Sequence, residues 1–384
     1  MGTDREMELY IHIPFCRKKC NYCDFLSFPA GQETMDAYVQ MLIREIREAE
    51  NREEMVTSVF LGGGTPSILS GRQIQGILDA CREKYSFSKE TEITLEANPG
   101  TLDQEKLEAL RQAGINRLSL GLQSAHNGEL RELGRIHTWE DFQESYHMAR
   151  KVGFGNINVD LMSALPAQTP ESFRDTLKQV TALAPEHISA YSLIIEEGTP
   201  FYERYAQDER DRQKEGECAH LPSEEEERSM YADTACILRQ AGYHRYEISN
   251  YAREGFECRH NCGYWTRKNY RGFGLGAASL MDETRFHGTE DLQEYLKGSF
   301  PGIDQERLSV QARMEETMFL GLRLTSGVSI EEFNLQFECS FGDVYGKVSA
   351  KLVREGLLQE REGWLSLTEK GIDVSNYVLS EFLL

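Results

Sequence analysis

Residues 9–25 read LYIHIPFCRKKCNYCDF. A short apolar, β-branched run (9–13) precedes cysteines at 16, 20 and 23, spaced C-x3-C-x2-C, with no fourth cysteine close behind. The run reads as a strand and the cysteines as the loop that follows it. Thiolates select soft metals, so zinc and iron–sulfur are the two readings. A structural zinc site needs a fourth ligand, His12 or a remote cysteine, and no second C-x2-C hook stands at finger spacing. An iron–sulfur centre on three cysteines leaves one iron open to a substrate or cofactor.

The pattern repeats. Apolar runs at 57–64, 92–99, 115–123, 156–162 and 187–194 alternate with helical patterns at 33–50, 71–85, 103–114, 138–153 and 170–183. Six strands with helices between them predict a parallel sheet covered by helices. Gly114 and Gly153 follow two of the helices, where a C-terminal glycine belongs. GGGTPS, NPG and QSAH end the second, third and fourth strands. Polar motifs at successive strand C-termini suit a TIM-type barrel, whole or partial, and equally an open doubly wound sheet.

Beyond residue 200 the regularity fades. The charged stretch ERYAQDERDRQKEGECAHLPSEEEERS (203–229) reads as a solvated loop entering a helix, with Ser223 as N-cap and the run EEEE (224–227) in its first turn. Residues 243–290 read as irregular loops and short strands. SIEEFNLQFE and GDVYGKVSAKLVREG predict two helices, GLLQEREGWLSLTEKG a β-hairpin and IDVSNYVLSEFL a closing helix, a winged-helix-like order. Glu331, Glu332, Glu338, Glu355, Glu360 and Glu362 offset its basic residues, which favours a packing or lid module over DNA binding. The expected division is 1–200, 201–300 and 301–384.

Composition narrows the function classes. The 384 residues carry a formal net charge of -21, with a pI near 5.0 and a mean hydropathy of -0.52. Such a surface repels phosphate backbones, so nucleic acid is not the expected partner. No basic start leads into an apolar run and no stretch is apolar enough to span a bilayer, so a cytoplasmic protein is expected. Nine cysteines then read as reduced thiols and metal ligands. Cys81 and Cys236 fall in helical patterns and read as buried small hydrophobes. Cys218 and Cys339 stand alone.

With these motifs in place, the sequence resembles the radical S-adenosylmethionine (SAM) proteins. YIHIPFC before C-x3-C-x2-C, on the loop after a first strand, carries the resemblance, and GGGTP (62–66) at the second strand end supports it. The resemblance implies a partial (βα)6 TIM-type barrel and a 4Fe–4S cluster on Cys16, Cys20 and Cys23. SAM would chelate the open iron, and one-electron reduction would cleave it. Gly lacks a Cβ, so the GGG segment would let backbone approach the amino-acid end of SAM.

The resemblance narrows to the branch related to oxygen-independent coproporphyrinogen III oxidase, on the side of its heme chaperones. It implies that Tyr10, Gly63 and Glu96 contact the cluster-bound SAM. Tyr22, Gly64, Thr65, Gln123, Arg135, Asp160 and Ile194 match SAM contacts of the oxidase. Each polar member has an ordinary alternative as a rim ion pair or capping group. The oxidase has a further cysteine two residues past the third ligand, where this chain has Phe25. Its N-terminal extension is also longer than the few residues before this first strand. Both contrasts favour the chaperone side, and no residue is assigned a catalytic role.

CRHNCGYW (258–265) holds the H-N-x-x-Y-W pattern associated with heme in that branch. His260 would ligate heme iron, with Tyr264 and Trp265 as flat apolar surface. Cys258 and Cys262 leave zinc or a redox pair as alternatives, and a packed loop histidine is the plain one. Further on, GFGLGAAS puts Ala278 where the branch often has histidine. The implied partners are heme, an acceptor hemoprotein and a reductant such as flavodoxin or ferredoxin. A homodimer is allowed. The competing expectation is an enzyme, for oxidative decarboxylation of coproporphyrinogen III or another radical SAM modification of a porphyrin.

Overall fold

The computed structural model describes residues 6–212, 214 and 219–384. The first six strands are β1 (Glu6–Ile13), β2 (Met55–Gly63), β3 (Ser86–Ala97), β4 (Arg117–Gln123), β5 (Ile157–Ser163) and β6 (His187–Ser192). Each pairs in parallel with the next. Helices Gln32–Glu48, Gly71–Lys84, Gln104–Ala113, Trp139–Val152 and Pro170–Leu183 link them. The expected partial barrel is therefore present, strand for strand.

Strand alternation sorts its residues onto two faces. Leu9, Ile11, Val59, Leu61, Leu95 and Leu120 are buried against helix residues such as Leu42, Ile77, Leu107 and Phe142. Their neighbours in sequence turn to the opposite, polar face, and the candidate site residues Tyr10, Glu96, Gln123 and Asp160 belong to that set. Fully burying each of these aliphatic side chains contributes roughly 1.5–3 kcal/mol, enough to fix the register.

The sheet continues past the six strands. β7 (His244–Arg245), β8 (Asn250–Ala252), β9 (Asn269–Phe273), β10 (Ala278–Met281), β11 (Thr284–His287) and β12 (Ile303–Arg307) extend it at both edges. The order is β12-β11-β10-β9-β1-β2-β3-β4-β5-β6-β8-β7. β9 lies parallel to β1. Met230, Tyr251, Phe273 and Tyr295 share the apolar cluster of the first strands, so residues 201–300 share that sheet and core.

Two local expectations are corrected. Pro200–Arg212 is a helix and not a loop. Its Phe201 and Tyr205, one helical turn apart, bury against Leu133, Met162 and Leu193 and outweigh the surrounding charge. Cys218, in the same stretch, lies outside the described residues. Cys81 is buried as expected, but Cys236 is exposed, on the solvent side of the helix Glu224–Gln240. That helix does begin at Ser223, which forms a capping box with Glu226.

The C-terminal module has its own core of Met318, Leu322, Phe333, Tyr345, Leu352 and Leu365. Helices Val310–Gly321, Ile330–Phe337 and Phe341–Arg354 pack on a small sheet of β13 (Val328–Ser329), β14 (Leu358–Arg361) and β15 (Trp364–Leu367). The expected closing helix is two, Glu369–Asp373 and Ser375–Ser380, because Val374 between them leaves helical geometry.

Opposite the cysteine loop, the short helix Arg259–Trp265 closes the floor of the barrel. Its N-cap, Cys258, makes no side-chain cap bond. The Glu92 carboxylate of β3 accepts instead from the Arg259 and His260 N–H groups at 3.3 and 3.4 Å. Gly263 faces β1, and a Cβ there would overlap the buried Glu8 carboxylate. Gly263→Ala is expected to lower stability by about 1–3 kcal/mol through this overpacking. Urea unfolding measures it, and an unchanged midpoint would refute the contact.

Candidate functional site

The cysteine loop leaves β1 at Pro14 and is tied back to the sheet by backbone bonds. Phe28 N–H donates to the Pro14 carbonyl at 2.8 Å, and Cys16 N–H to the Phe28 carbonyl at 3.1 Å. From the end of β2, Gly64 N–H donates to the Ile13 carbonyl (2.9 Å) and Thr65 N–H to that of Phe15 (2.8 Å). Gly63 has φ of +106°, and a Cβ there would overlap the His12 ring. A Cβ on Gly64 would come within 2.7 Å of the Phe15 carbonyl oxygen. The two glycines let strand and loop meet at van der Waals distance.

Cys16, Cys20 and Cys23 are free, partly exposed thiols that line one cavity of about 120 Å³. The Thr65 hydroxyl donates to Cys16 Sγ at 3.4 Å, and Arg135 Nη1 to Cys20 Sγ at 3.7 Å. Donors aimed at sulfur are a feature of iron–sulfur sites. Burial raises the Cys23 thiol. Among the described residues, no group of three His, Cys, Asp or Glu side chains is placed to hold a single metal ion.

The same cavity collects most of the other expected residues. Tyr22, Gly63, Gly64, Thr65 and Glu96 line it, as do Gln123, Arg135 and Asp160. Gln123 ends β4 with φ of +73°, and its Oε1 accepts from the Tyr191 hydroxyl at 3.3 Å. Asp160 accepts from Asn158 Nδ2 (2.7 Å) and Ser119 Oγ (3.1 Å), while burial raises its carboxyl. Arg135 Nη2 donates to Asn98 Oδ1 (2.6 Å) and the Gly121 carbonyl (2.5 Å). Its Nε has no partner.

Glu96 accepts from Gly63 N–H at 3.0 Å. Burial, and then the negative charge of Asp160, push its carboxyl up to about 8 against weaker pulls from Gly63 N–H and Arg117. An acid so placed, with no cation bonded to it, suits a cationic ligand. With the unfilled Arg135 Nε and the acceptor Asp160, the wall matches a ligand carrying positive, carboxylate and hydroxyl groups, as SAM does.

Sequence reading passed over Asn98, Ser119, Gly121 and Tyr191, which also line this cavity. The signal was present, since each shares a strand face with Glu96, Gln123 or Asp160 by the period of two. Three expected residues lie elsewhere. Ile194 is 67% exposed on the surface. Tyr10 hydrogen-bonds His12 Nδ1 at 3.0 Å and lines a different cavity. His260 lines neither.

That second cavity, about 340 Å³, runs across β1, β9 and β10 and is walled by Tyr10, Tyr264, Trp265, Tyr270 and Ala278, with Arg285 among its lining residues. His260 sits behind Tyr264. It is 1% exposed, its Nδ1 lies 2.8 Å from Ser58 Oγ and its Nε2 lies 3.0 Å from Tyr264 Oη. Burial and the Arg117 charge lower its pKa to about 3. The loop histidine expected from CRHNCGYW is thus an enclosed helical one, because the segment folds as a helix and Glu92 holds its first turn under the barrel.

Comparison with known proteins agrees with this architecture. Residues 10–180 match the radical SAM superfamily, and residues 308–374 match the HemN C-terminal domain. The solved coproporphyrinogen III oxidase (HemN) of Escherichia coli superposes with a TM-score of 0.83 at 26% identity, over 99% of this chain and 90% of that one. The class is therefore a radical SAM protein with a HemN-type C-terminal module. The heme chaperone HemW of Lactococcus lactis is 38% identical over 98% of this chain and 97% of its own length. HemW of Bacillus subtilis is 36% identical over 97% and 98%, and HemW of Escherichia coli 38% over 98% and 98%. This chain belongs to the HemW family. Membership in the radical SAM superfamily implies a 4Fe–4S cluster and SAM, and the thiols and polar side chains lining the cysteine cavity suit both in chemistry. Among the described residues no helix is long and apolar enough to cross a membrane.

The Glu96 carboxyl predicts how SAM binding varies with pH. Below about 8 Glu96 holds a proton, which a cationic ligand must displace. Affinity should therefore rise with pH and level off above about 8. Glu96→Gln should weaken binding by roughly 1.5–3 kcal/mol, the worth of a hydrogen bond to a charged group. It should also flatten that component and leave only the titration of SAM itself. Calorimetry of SAM binding to both proteins between pH 6 and 9 decides it. Equal slopes would remove Glu96 from the site.

Proposed function

We propose that this protein is a cytoplasmic heme chaperone, binding heme and a SAM-liganded 4Fe–4S cluster and delivering the heme to an acceptor hemoprotein. The observation that carries the reading is the aromatic cavity beside CRHNCGYW. Tyr10, Tyr264, Trp265 and Tyr270 provide flat apolar walls for a macrocycle, and Arg285 is a partner for a propionate. Arg285 is held by Glu316 at 2.8 Å, so a propionate would compete for an ion pair already made. Family relatives named as heme chaperones support the reading.

Cys16, Cys20 and Cys23 hold the cluster, and Glu96, Gln123, Arg135 and Asp160 orient SAM in the walls around it. Cluster-bound SAM supplies radical chemistry when a donor such as flavodoxin or ferredoxin provides an electron. The protein's own contribution is to fix the thiols by backbone bonds and to keep Glu96 and Asp160 away from bulk water.

The second reading, decarboxylation of coproporphyrinogen III, is favoured by the likeness to the oxidase. Phe25, 68% exposed at the cysteine cavity, counts against it, since the resemblance puts a cysteine of the oxidase there. One anaerobic preparation with its cluster reconstituted tests both. Heme should titrate to a saturating Soret band and pass to an apo-hemoprotein, with no protoporphyrinogen formed from coproporphyrinogen III, SAM and reductant. Turnover without heme transfer would reverse the assignment.

A further inference from the structure

Resting on the heme-binding reading above, we propose that Tyr264 meets the porphyrin iron through its phenol oxygen, while His260 behind it takes the phenol proton. Tyr264 lines the cavity and His260 does not. The His260 ring is stacked on Phe60 at 5.1 Å, and both its nitrogens are engaged. Reaching an iron atom in the cavity would require the Arg259–Trp265 helix to leave the floor and break its contacts with Glu92. Tyr264 needs no such movement. Its ring already lines the cavity and its hydroxyl is bonded to the imidazole, and tyrosinate is an established ligand of ferric heme.

Two other tyrosines share the cavity, but neither is paired with a base placed like His260. Tyr10 is hydrogen-bonded to His12, whose other nitrogen is bonded to the Leu26 carbonyl. Tyr270 packs edge-on against Tyr264 at 4.7 Å and lies beside Arg285.

The step balances without redox change. The Tyr264 O–H bond breaks and its proton passes to His260 Nε2. The phenolate oxygen bonds to ferric iron, and a water carried in on the iron leaves to solvent. Beside the imidazolium so formed lies Glu8, buried and 3.5 Å from His260 Nδ1, whose ionised form the new positive charge would favour. A trivalent iron at the phenol oxygen would favour passage of the proton to the hydrogen-bonded imidazole.

The test is ferric heme titrated into the full chain, followed by absorption, EPR and resonance Raman. Wild-type protein should show the phenolate-to-iron charge-transfer band and enhanced phenolate modes. Tyr264→Phe, which keeps the ring, should lose both signatures while circular dichroism stays native. His260→Gln and Glu8→Gln should keep them, with affinity lower by about ten- to a hundredfold, as for residues that support a ligand. An imidazole-ligated spectrum that survives Tyr264→Phe and vanishes in His260→Gln would overturn the proposal and leave heme binding intact. Failure of wild-type protein to bind heme at all would overturn both.

Discussion

The close approach of Gly63 and Gly64 to the cysteine loop is the constraint from which the upper site follows. Two backbone bonds join the β2 end to Ile13 and Phe15, and they form only because no Cβ keeps the segments apart. Once made, they place Thr65 against Cys16 and Asn98 against Thr65. Asn98 then holds Arg135 against Cys20. Three strand ends are in this way coupled to two of the three thiols. Side-chain packing alone would leave such a loop mobile, since it contributes few apolar residues to the core.

The polar face of the sheet carries acids at both ends, and burial treats them alike. Glu96 near the cysteines and Glu8 at the floor are each pushed up to about 8, chiefly by loss of water. Neither has a bonded cation. A folded protein retains such groups at a cost of stability, and a functional role is their common explanation. Both costs grow as pH rises, because deprotonation near 8 leaves a buried charge. Stability tied to them is complete below the ordinary carboxylate range and is lost as pH climbs through about 8. A cationic partner at either end removes that loss.

Much of the fold was legible because periodicity reports burial. All six parallel strands and the five helices between them were readable, since one face of each is apolar. The same logic exposed most of the SAM-facing residues, which sit at strand ends with a family motif beside them. What escaped was set by distant contacts. Pro200–Arg212 looked like a loop because its charges hide two aromatic anchors, Phe201 and Tyr205. Cys236 looked buried because a helical pattern does not say which face a small residue takes. His260 looked like a loop residue because Glu92, more than 160 positions away in the chain, holds the first turn of the helix that encloses it.

Tyr10 shows how closely the two cavities are built together. The resemblance assigned it to SAM, yet its ring belongs to the aromatic cavity and lies over His260 at 6.4 Å. Its hydroxyl is bonded to His12, and His12 to the Leu26 carbonyl of the cysteine loop. His12 is also the ring that forbids a side chain on Gly63. A single strand, β1, therefore presents Glu8 to the floor, Tyr10 to the aromatic wall and His12 to the base of the cysteine loop, at every second residue. Shifting its register by one residue would empty all three positions together and put Leu9 and Ile11 in their place. The apolar half of LYIHI that fixes the fold and the polar half that serves both cavities are the two faces of one strand.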